Sequence, residues 1–457
     1  MSISMEFAKR VVSTRYDTLP PEAIHWAKVG LLDTLGVSIA GSRDECVQIV
    51  STVSTGSSGK SLLWGQDRHV SAMDAAQING TAAHALDFDD CSNTMGGHPS
   101  APILPALFAL ADEYGARGQD LLAAYVVGFE TECKLSMCVN FYQYTKGWHP
   151  TATLGIFGAT AACANLLQLN ESKTALALGI ATSMAAGIKA NLGTMTKPLH
   201  VGNCARNAVF ACLLARDGFT SSIKSFEHKM GYFNVFNGEG NYDTEKLFSQ
   251  WANPWDIVKP GIAIKQYTCC GSTHPAVDAT LDLAFEHNLN ASQVAKIETW
   301  THPRRLEHTN RADPQSDIDA RFSVQYVVCR ALLNRKIIND FFENNAYKEP
   351  SVQSLLKKVT SRTYTTEQFP ADNHFAAEVR IELTDGRVVS KKLNQPYGRT
   401  SENPLSAQQL KAKFDGCISG IIHPENQTRL YEAIQGFEKL DSLLPFTALI
   451  SAQPVVL

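Results

Sequence analysis

Several signals that would assign a function directly are missing from the sequence. It has no Walker loop for nucleotide phosphates, and Gly238–Gly240 lacks the third glycine and the preceding strand of a dinucleotide site. The G-x-S-x-G elbow of α/β-hydrolases is also absent. No glycine loop for pyridoxal phosphate accompanies the lysines. These absences argue against nucleotide, dinucleotide, serine-hydrolase and pyridoxal chemistry.

The chain also has little charge of either sign. Charged residues make up 19% of its 457 residues, the net charge is −4, and no run of Lys and Arg occurs, so a nucleic-acid partner is not expected. An anionic ligand would need local basic residues. The start of the chain, MSISMEFAKRVV, lacks the apolar stretch of a signal peptide, and the eleven cysteines show no disulfide spacing. We therefore expect a cytoplasmic protein with reduced thiols.

One stretch, residues 147–170, has no charged side chain and is long enough to span a bilayer. It contains His149, Pro150 and Gln168, and it is richer in Gly and Ala than in Leu and Ile. This composition favours a close-packed helix in a soluble core, so no membrane partner is expected.

What is present is mostly helical periodicity. PPEAIHWAKVGLLDTLGVSIAG has apolar residues at helical spacing, and further Ala- and Leu-rich stretches follow without strands between them, which predicts an all-α domain. After about residue 260, VAKIETWTH and EVRIELTDGRVVSKKL alternate like strands, with a hairpin turn at Asp385-Gly386. A helix is predicted over Phe322–Asn334. The tail is helical again from Ser406, and the length favours two domains.

The stretch HALDFDDCSNTMGGHPSAPILPAL is the richest in chemically capable side chains. Within fifteen residues it contains His84, Asp87, Asp89, Asp90, Cys91 and His98. Acids beside histidines can hold a divalent metal, but acids at a helix end also solvate loops and cap the next helix. The Gly96-Gly97 turn presents a histidine just before a predicted helix, where free backbone amides favour anions. An active site, a metal site and a structural cap all fit this pattern.

Three further stretches combine histidine and lysine. GWHPTATLG places His149 before the charge-free segment, where a lone histidine is more often structural than catalytic. GTMTKPLHVGN places Lys197 and His200 in a predicted Gly- and Thr-rich loop, and AIKQYTCCGSTHP contains Lys265. A lysine in apolar surroundings needs either a lowered pKa or an anionic partner.

In these stretches, and in LLDTLGVSIAG and GRVVSKKLNQPYGRTSENPLS, the sequence resembles the MmgE/PrpD family. The similarity covers nearly the whole chain. The family includes 2-methylcitrate dehydratases, cis-aconitate decarboxylases and iminodisuccinate epimerases. The resemblance implies a mainly α fold, with a large all-helical domain of residues 1–264 and 396–457. A smaller α+β lid domain, residues 265–395, would be inserted in it, and the implied assembly is a homodimer.

The resemblance also implies a set of pocket residues. By position they are Asp87, Cys91, His98, His149, Lys197, Lys265 and Tyr326, and we add His200 as a substrate-binding candidate. Cys91 stands where decarboxylases of the family have Thr, and SNTMGGHPS is one residue longer between Asp87 and His98. The Glu-Trp-Gly-His pattern of 2-methylcitrate dehydratases is absent.

The reactions of the family share a carbanion or enolate that develops next to a carboxylate. Clustered cations stabilise such a charge without a metal, so neither a metal nor a cofactor is expected. We expect Lys197, Lys265 and His149 to hold the carboxylates of a small polycarboxylate. His98 would transfer the proton, and Asp87 would orient His98 or a lysine.

Because of the two departures, we expect epimerisation of an iminodisuccinate-like diacid. Dehydration of a citrate-type hydroxy acid and decarboxylation of a cis-aconitate-type acid are the alternatives. A non-catalytic carboxylate-binding protein, or a divalent-metal lyase that uses Asp87, Asp89 and Asp90, would also fit the sequence. Turnover in the presence of a chelator separates these classes.

Overall fold

The structure is a computed structural model that describes residues 1–139 and 141–452. These residues form two units, which we call the helical unit and the α+β unit. The helical unit joins Met1–Ile264 to the tail that begins at Thr400, and the α+β unit is Lys265–Arg399. The boundary between the end of the α+β unit and the tail of the helical unit therefore lies four residues after the 395/396 boundary expected from the sequence. The prediction of a mainly α protein is confirmed.

Twelve helices and four two-residue strands lie in the first part of the helical unit. The helices are α1 Ile3–Ser13, α2 Pro21–Gly41, α3 Glu45–Val53, α4 Ala72–Ala85, α5 Ser100–Tyr114, α6 Gly118–Val139, α7 Tyr142–Lys146, α8 Pro150–Thr153, α9 Gly155–Leu166, α10 Glu171–Ala181, α11 Thr196–Arg216 and α12 Tyr232–Asn237. The strands are β1 Ser61–Leu62, β2 His69–Val70, β3 Cys91–Ser92 and β4 Ile262–Ala263, paired β1 with β2 and β3 with β4. The expected all-helical domain thus contains two small antiparallel ribbons.

The α+β unit surrounds one four-stranded sheet. Its helices are α13 His274–Glu286, α14 Pro303–Thr309, α15 Asp317–Arg321, α16 Val324–Asn334 and α17 Pro350–Leu356. Its strands are β5 Val294–Thr301, β6 Val359–Thr363, β7 Ala377–Leu383 and β8 Val388–Leu393, in the order β6-β5-β7-β8 with only the β5–β6 pair parallel. The predicted hairpin is the β7–β8 pair, and Val379, Ile381 and Leu383 form its buried face. The predicted helix over 322–334 is α16.

The tail of the helical unit contains α18 Ala407–Ile418, α19 Pro424–Gln435 and α20 Leu444–Thr447. Helix α18 packs on α2, and Lys413 Nζ lies 2.5 Å from Asp33 Oδ1 with both side chains buried. The same ammonium donates to the carbonyl oxygen of Phe88, 2.9 Å away. A residue near the end of the chain therefore fixes the backbone of the DFDD segment.

Helices α4 and α11 cross at very short distance. A Cβ placed on Gly80 would lie 3.1 Å from Gly202 Cα, and one on Gly202 would lie 2.2 Å from Thr81 Oγ1. Only glycine allows this approach, because any side chain would collide with the other helix. The crossing brings the end of α4, with His84, near the start of α11, with Lys197 and His200.

The charge-free stretch 147–170 contains a buried, close-packed helix, as expected, preceded by one short helical turn. It contains α8 and α9, which are separated at Leu154. Within the described residues, no helix is both long and apolar enough to cross a membrane. All eleven cysteines are free thiols.

Candidate active site

The chain between α4 and α5 places the key side chains by sharp local turns. Asp87 follows the end of α4 with a positive φ of 51°, and the segment then pairs as β3 with β4. Gly96 has a φ of 66°, and a Cβ on Gly97 would lie 3.0 Å from the backbone nitrogen of Thr151. Thr151 Oγ1 accepts a hydrogen bond from the His98 backbone nitrogen at 3.2 Å. The Gly-Gly pair therefore permits the turn that presents the His98 side chain.

Two histidines share one buried carboxylate. His84 Nδ1 lies 2.7 Å from Asp89 Oδ2, and His98 Nδ1 lies 3.2 Å from Asp89 Oδ1. The side chains of His84 and Asp89 are fully buried, and that of His98 is 13% exposed. We call these three residues the His84–Asp89–His98 cluster.

The cluster separates the protonation states of its two histidines. Burial alone would lower the pKa of His98, but the Asp89 carboxylate and the neighbouring Cys91 raise this pKa to about 10. Burial lowers the pKa of His84 to about 4, although the Asp89 carboxylate acts to raise it. Burial alone would raise the pKa of Asp89, but His84 and His98 hold this pKa well below the usual range. At neutral pH, His98 is therefore a cation beside an anionic Asp89, and His84 is a neutral hydrogen-bond donor.

Asp87 contacts the other side of this cluster. Its Oδ1 atom lies 2.7 Å from Lys197 Nζ and 3.8 Å from His98 Nε2. Lys197 is in the first turn of α11, so the prediction that it lies in a loop was wrong. Residues 192–195 form a turn with a bend at Thr194, and the helix starts directly after them at Thr196. Asp87 thus meets both residues that it was predicted to orient, with the shorter contact to the lysine.

His149 and His200 extend the row of imidazoles. The ring centroids of His149 and His84 are 5.6 Å apart, and His149 Nδ1 lies 3.3 Å from His200 Nδ1. Burial, together with the electrostatic effect of the neighbouring His84 and Lys197, lowers the pKa of His149 well below its usual value. Burial also lowers the pKa of His200. His149 is therefore a neutral base candidate next to a protonated acid candidate.

The backbone of Gly187 holds this pair of histidines in place. Its carbonyl oxygen accepts a hydrogen bond from the His149 backbone nitrogen at 3.0 Å. Its φ is 118°, and a Cβ at this position would lie 3.3 Å from His200 Nδ1. A glycine is thus needed both for the backbone conformation and for the position of the His200 ring.

Cys91 and Asp90 face different surroundings. Cys91 Sγ is 3.9 Å from His98 Nδ1, so it lies beside the cluster as predicted for a pocket residue. Asp90 instead accepts hydrogen bonds from the hydroxyl and backbone nitrogen of Ser100. Burial, together with the charge of Asp33, raises the pKa of Asp90 well above its usual value.

The metal alternative therefore takes a different form from the one the sequence suggested. Asp90 accepts a hydrogen bond from Ser100, and Asp87 accepts one from Lys197. Among the described residues, the group close enough to hold an ion is His84, Asp89 and His98, whose donor atoms lie within 4.8 Å of one another. Those atoms already face one another as donors and acceptors, so an ion would have to displace the proton of His98.

Two predicted site residues lie in the α+β unit. Lys265, its first residue, is buried, and its Cε lies 3.8 Å from a Cβ built on Gly271. Tyr326 is fully buried, its hydroxyl donates to Phe341 O, and it accepts from Arg330 Nε at 2.9 Å. These hydrogen bonds hold the hydroxyl within the α+β unit, and the pocket role expected for Tyr326 stays a prediction. The predicted role of Lys265 in substrate binding stays a prediction.

The site thus contains two residues that sequence reasoning left out of the catalytic set. His84 was noted only as a member of an acidic, histidine-rich stretch, and Asp89 only there and as a ligand in the metal-lyase alternative. Their i, i+5 spacing across a helix end carries no recognised signature, and their importance comes from full burial. The combined arrangement offers the protonated imidazole of His98, the neutral imidazoles of His84 and His149, and the Lys197 ammonium, which is a set for acid–base chemistry on an anion.

Comparisons with known proteins identify the family of the chain. The model of the MmgE/PrpD N-terminal domain matches residues 5–245, and that of the MmgE/PrpD C-terminal domain matches residues 267–439. These matches cover most of the chain. The chain belongs to the MmgE/PrpD family.

Proteins similar to this chain come from two mammals and a fungus. It is 31% identical to cis-aconitate decarboxylase of Homo sapiens, over 98% of this chain and 94% of the relative. It is 30% identical to cis-aconitate decarboxylase of Mus musculus, over 99% and 94%. It is 26% identical to the cis-aconitate decarboxylase-like protein oryM of Aspergillus oryzae, over 99% and 98%.

Proposed function

We propose that this protein is an acid–base lyase that removes carbon dioxide from a small tricarboxylate of the cis-aconitate type. The observation that carries the proposal is the contact of His98 with buried Asp89, 3.2 Å between Nδ1 and Oδ1. This contact keeps the imidazole of His98 protonated, so the resting enzyme holds a proton ready for a carbanion. The names of the relatives support decarboxylation over epimerisation.

The proposed step needs an acid but no base. The bond between the leaving carboxylate and its CH₂ carbon breaks, and carbon dioxide departs without the bonding electrons. The electron pair becomes an allylic carbanion conjugated with the remaining carboxylates. His98 supplies the proton that adds to carbon, which gives an unsaturated dicarboxylate with one carbon fewer, and solvent then reprotonates His98. A trianion and one proton thus become a dianion and carbon dioxide.

The neighbouring residues have supporting roles in this proposal. The Lys197 ammonium binds a carboxylate that is retained, and Asp87 positions the lysine through the 2.7 Å ion pair. His84, held by Asp89, keeps the carboxylate aligned on His98. Neutral His149 donates a hydrogen bond to the substrate, while Cys91 fills the space beside His98. No residue role in this list requires a metal or an organic cofactor.

Epimerisation of an iminodisuccinate-like diacid is the second candidate. One observation favours it, namely the opposite protonation states of His98 and His149 in one cluster. An epimerase removes a proton from one face of a carbon and returns one to the other face, so it needs an acid and a base together. Dehydration of a hydroxy acid would use the same pair.

One experiment separates these reactions. The purified full-length protein is incubated in D₂O with cis-aconitate, citrate or a chiral diacid, and products are followed by NMR. Decarboxylation predicts carbon dioxide release and one deuterium bound to carbon in the product. Deuterium exchange or loss of optical rotation in the diacid, with no carbon dioxide, would support epimerisation instead. A new double bond formed from citrate would support dehydration.

Matched variants connect the reaction to the site. His98→Asn should abolish the reaction, while His25→Asn, at an exposed histidine of α2, should leave it unchanged. Tight binding of tricarboxylates without turnover of any tested acid would contradict an enzymatic role. The homodimer expected from the family resemblance is likewise proposed, and light scattering of the same preparation tests it.

A further inference from the structure

The helical unit contains a cavity on the far side of the His149–His200 pair. Its volume is about 310 Å³, and it is lined on α11 by His200, Asn203, Arg206 and Asn207. His200, Asn203 and Asn207 are spaced by three and four residues, so they share one face of the helix. The volume is at the lower end of the about 300–1,000 Å³ of small-molecule pockets, so it suits a small metabolite better than a nucleotide.

The lining of this cavity presents donors and no acid. Within the part of the chain that the structure describes, no Asp or Glu side chain lines it. Arg206 is half-buried, and its guanidinium has no hydrogen bond or ion pair with any described residue. Gln77 Nε2 donates to Asn203 Oδ1 at 2.6 Å, which leaves the NH₂ group of Asn203 as a donor. A half-buried arginine among amides, without a carboxylate, favours an anion.

No member of the His84–Asp89–His98 cluster lines this cavity. His200 forms part of its wall, and its Nδ1 atom faces His149 Nδ1 at 3.3 Å. Gly187 and Ala152, which also line the cavity, lie next to this contact, since a Cβ on Gly187 would be 3.3 Å from both Ala152 Cβ and His200 Nδ1. Neither Lys197 nor His98 lines the cavity that contains Arg206, and this cavity touches the candidate active site at His200.

We propose that this cavity is a second binding site, which takes a small di- or tricarboxylate through Arg206 with the amides of Asn203 and Asn207. The planar guanidinium of Arg206 donates two parallel hydrogen bonds to one carboxylate, and the two amides donate to a second carboxylate. The site goes beyond the proposed reaction and does not depend on it. It is a place for substrate, product or a related acid to bind next to His200 without reaching His98.

The test uses tricarballylate, a tricarboxylate with neither a hydroxyl group nor a double bond, titrated calorimetrically into the full-length protein. The wild type should show two binding events. Arg206→Met should lose one event or weaken it by about tenfold to a hundredfold, as expected for a lost charge-assisted contact. Arg43→Met, at an exposed arginine, is the matched control. Lys197→Met should remove the other event.

The outcomes also separate this inference from the proposed reaction. A single event in the wild type that disappears in Arg206→Met supports the second site and counts against tricarboxylate binding at Lys197. A single event that Arg206→Met leaves unchanged overturns the inference. Equal affinity for inorganic phosphate overturns the assignment to carboxylates.

A second variant tests the same site in case Arg206→Met does not fold. Asn207→Asp changes shape little but places a negative charge in the cavity, and it should weaken the same event as Arg206→Met. With ¹⁵N-labelled histidine, tricarballylate should shift the His200 signals in Lys197→Met and leave them unmoved in the Lys197→Met/Arg206→Met double variant. Unchanged binding in a folded Asn207→Asp protein would overturn the proposal.

Discussion

Lys197 Nζ lies 2.7 Å from Asp87 Oδ1, so the lysine predicted to bind a substrate carboxylate already has an acidic partner in the protein. Both side chains are partly exposed, at 19% and 29%. An ion pair with this exposure contributes little to stability, since water screens it. The pair is better suited to hold the ammonium in position than to stabilise the fold.

Lys197→Met should therefore weaken substrate binding more than it changes stability. We expect KM for the tricarboxylate to rise about tenfold or more, because a charge-assisted contact is lost. The melting temperature should change by only a few degrees. Lys60→Met, at an exposed lysine, is the control. A large loss of melting temperature with unchanged affinity would show that the lysine is purely structural.

Asp89→Asn should remove the charge that keeps His98 protonated. With that carboxylate gone, burial dominates, and the pKa of His98 should fall from about 10 to below its ordinary value of 6.5. The rate should drop by about 10²–10⁴-fold at neutral pH, as for loss of a general acid. NMR titration of the imidazole measures the pKa directly. Asp17→Asn, on the surface, is the control, and an unchanged His98 titration in Asp89→Asn would refute the assignment.

The His98–Asp89 contact also predicts a pH dependence of stability. Folding raises the pKa of His98 from 6.5 to about 10, so the folded state binds the proton more tightly than the unfolded state does. The resulting stabilisation is complete below pH 6.5 and is lost as the pH rises to about 10. The difference in unfolding free energy between the wild type and His98→Asn should shrink over this window. A difference that does not vary with pH would contradict the raised pKa.

Chelation should leave the activity unchanged. The atoms that could hold an ion, in His84, Asp89 and His98, already face one another, and a cation would compete with the proton on His98. Dialysis against EDTA followed by a rate measurement and metal analysis checks this. Loss of activity that returns on adding one specific divalent metal would support the metal-lyase alternative.

Gly187→Ala should lower kcat by disturbing the His149–His200 contact. Alanine is strained at a φ of 118°, and its Cβ would press on the His200 ring at 3.3 Å. Gly193→Ala is a close control, because Gly193 also has a positive φ, of 88°, but no atom lies within 4 Å of the added Cβ. Equal rates in the two variants would show that backbone strain alone accounts for any change.

Much of the fold was accessible from the sequence. Helical spacing predicted α2, and strand alternation around Asp385-Gly386 predicted the β7–β8 hairpin. In the charge-free stretch, a uniform lack of charge indicated a buried helix but could not show where the short helix before it ends. Here α8 and α9 are separated at Leu154, and both are buried. Periodicity carries no signal for a break within a fully buried segment.

The site was predictable only in part. The Gly-Gly turn and the His-Pro steps singled out His98 and His149, and the structure brings both to one cluster. The sequence could not show that Asp89, and not Asp87, faces His98 Nδ1, because that depends on tertiary burial and on the positive φ of Asp87. Tyr326 was assigned by resemblance, and its hydroxyl donates a hydrogen bond to Phe341 O and accepts one from Arg330 Nε.

The buried pair between Asp33 and Lys413 has a consequence for biosynthesis. At about 5–20 residues per second, a ribosome takes roughly 20–80 s after making Asp33 to reach Lys413. During that time the nascent helical unit lacks both the cation for Asp33 and the donor to Phe88 O. A premature stop after residue 400 would yield every predicted catalytic side chain but not the lysine that fixes the loop carrying Asp87 and Asp89. Such a product would depend on chaperones and be a target for proteolysis, although all its catalytic side chains had been translated.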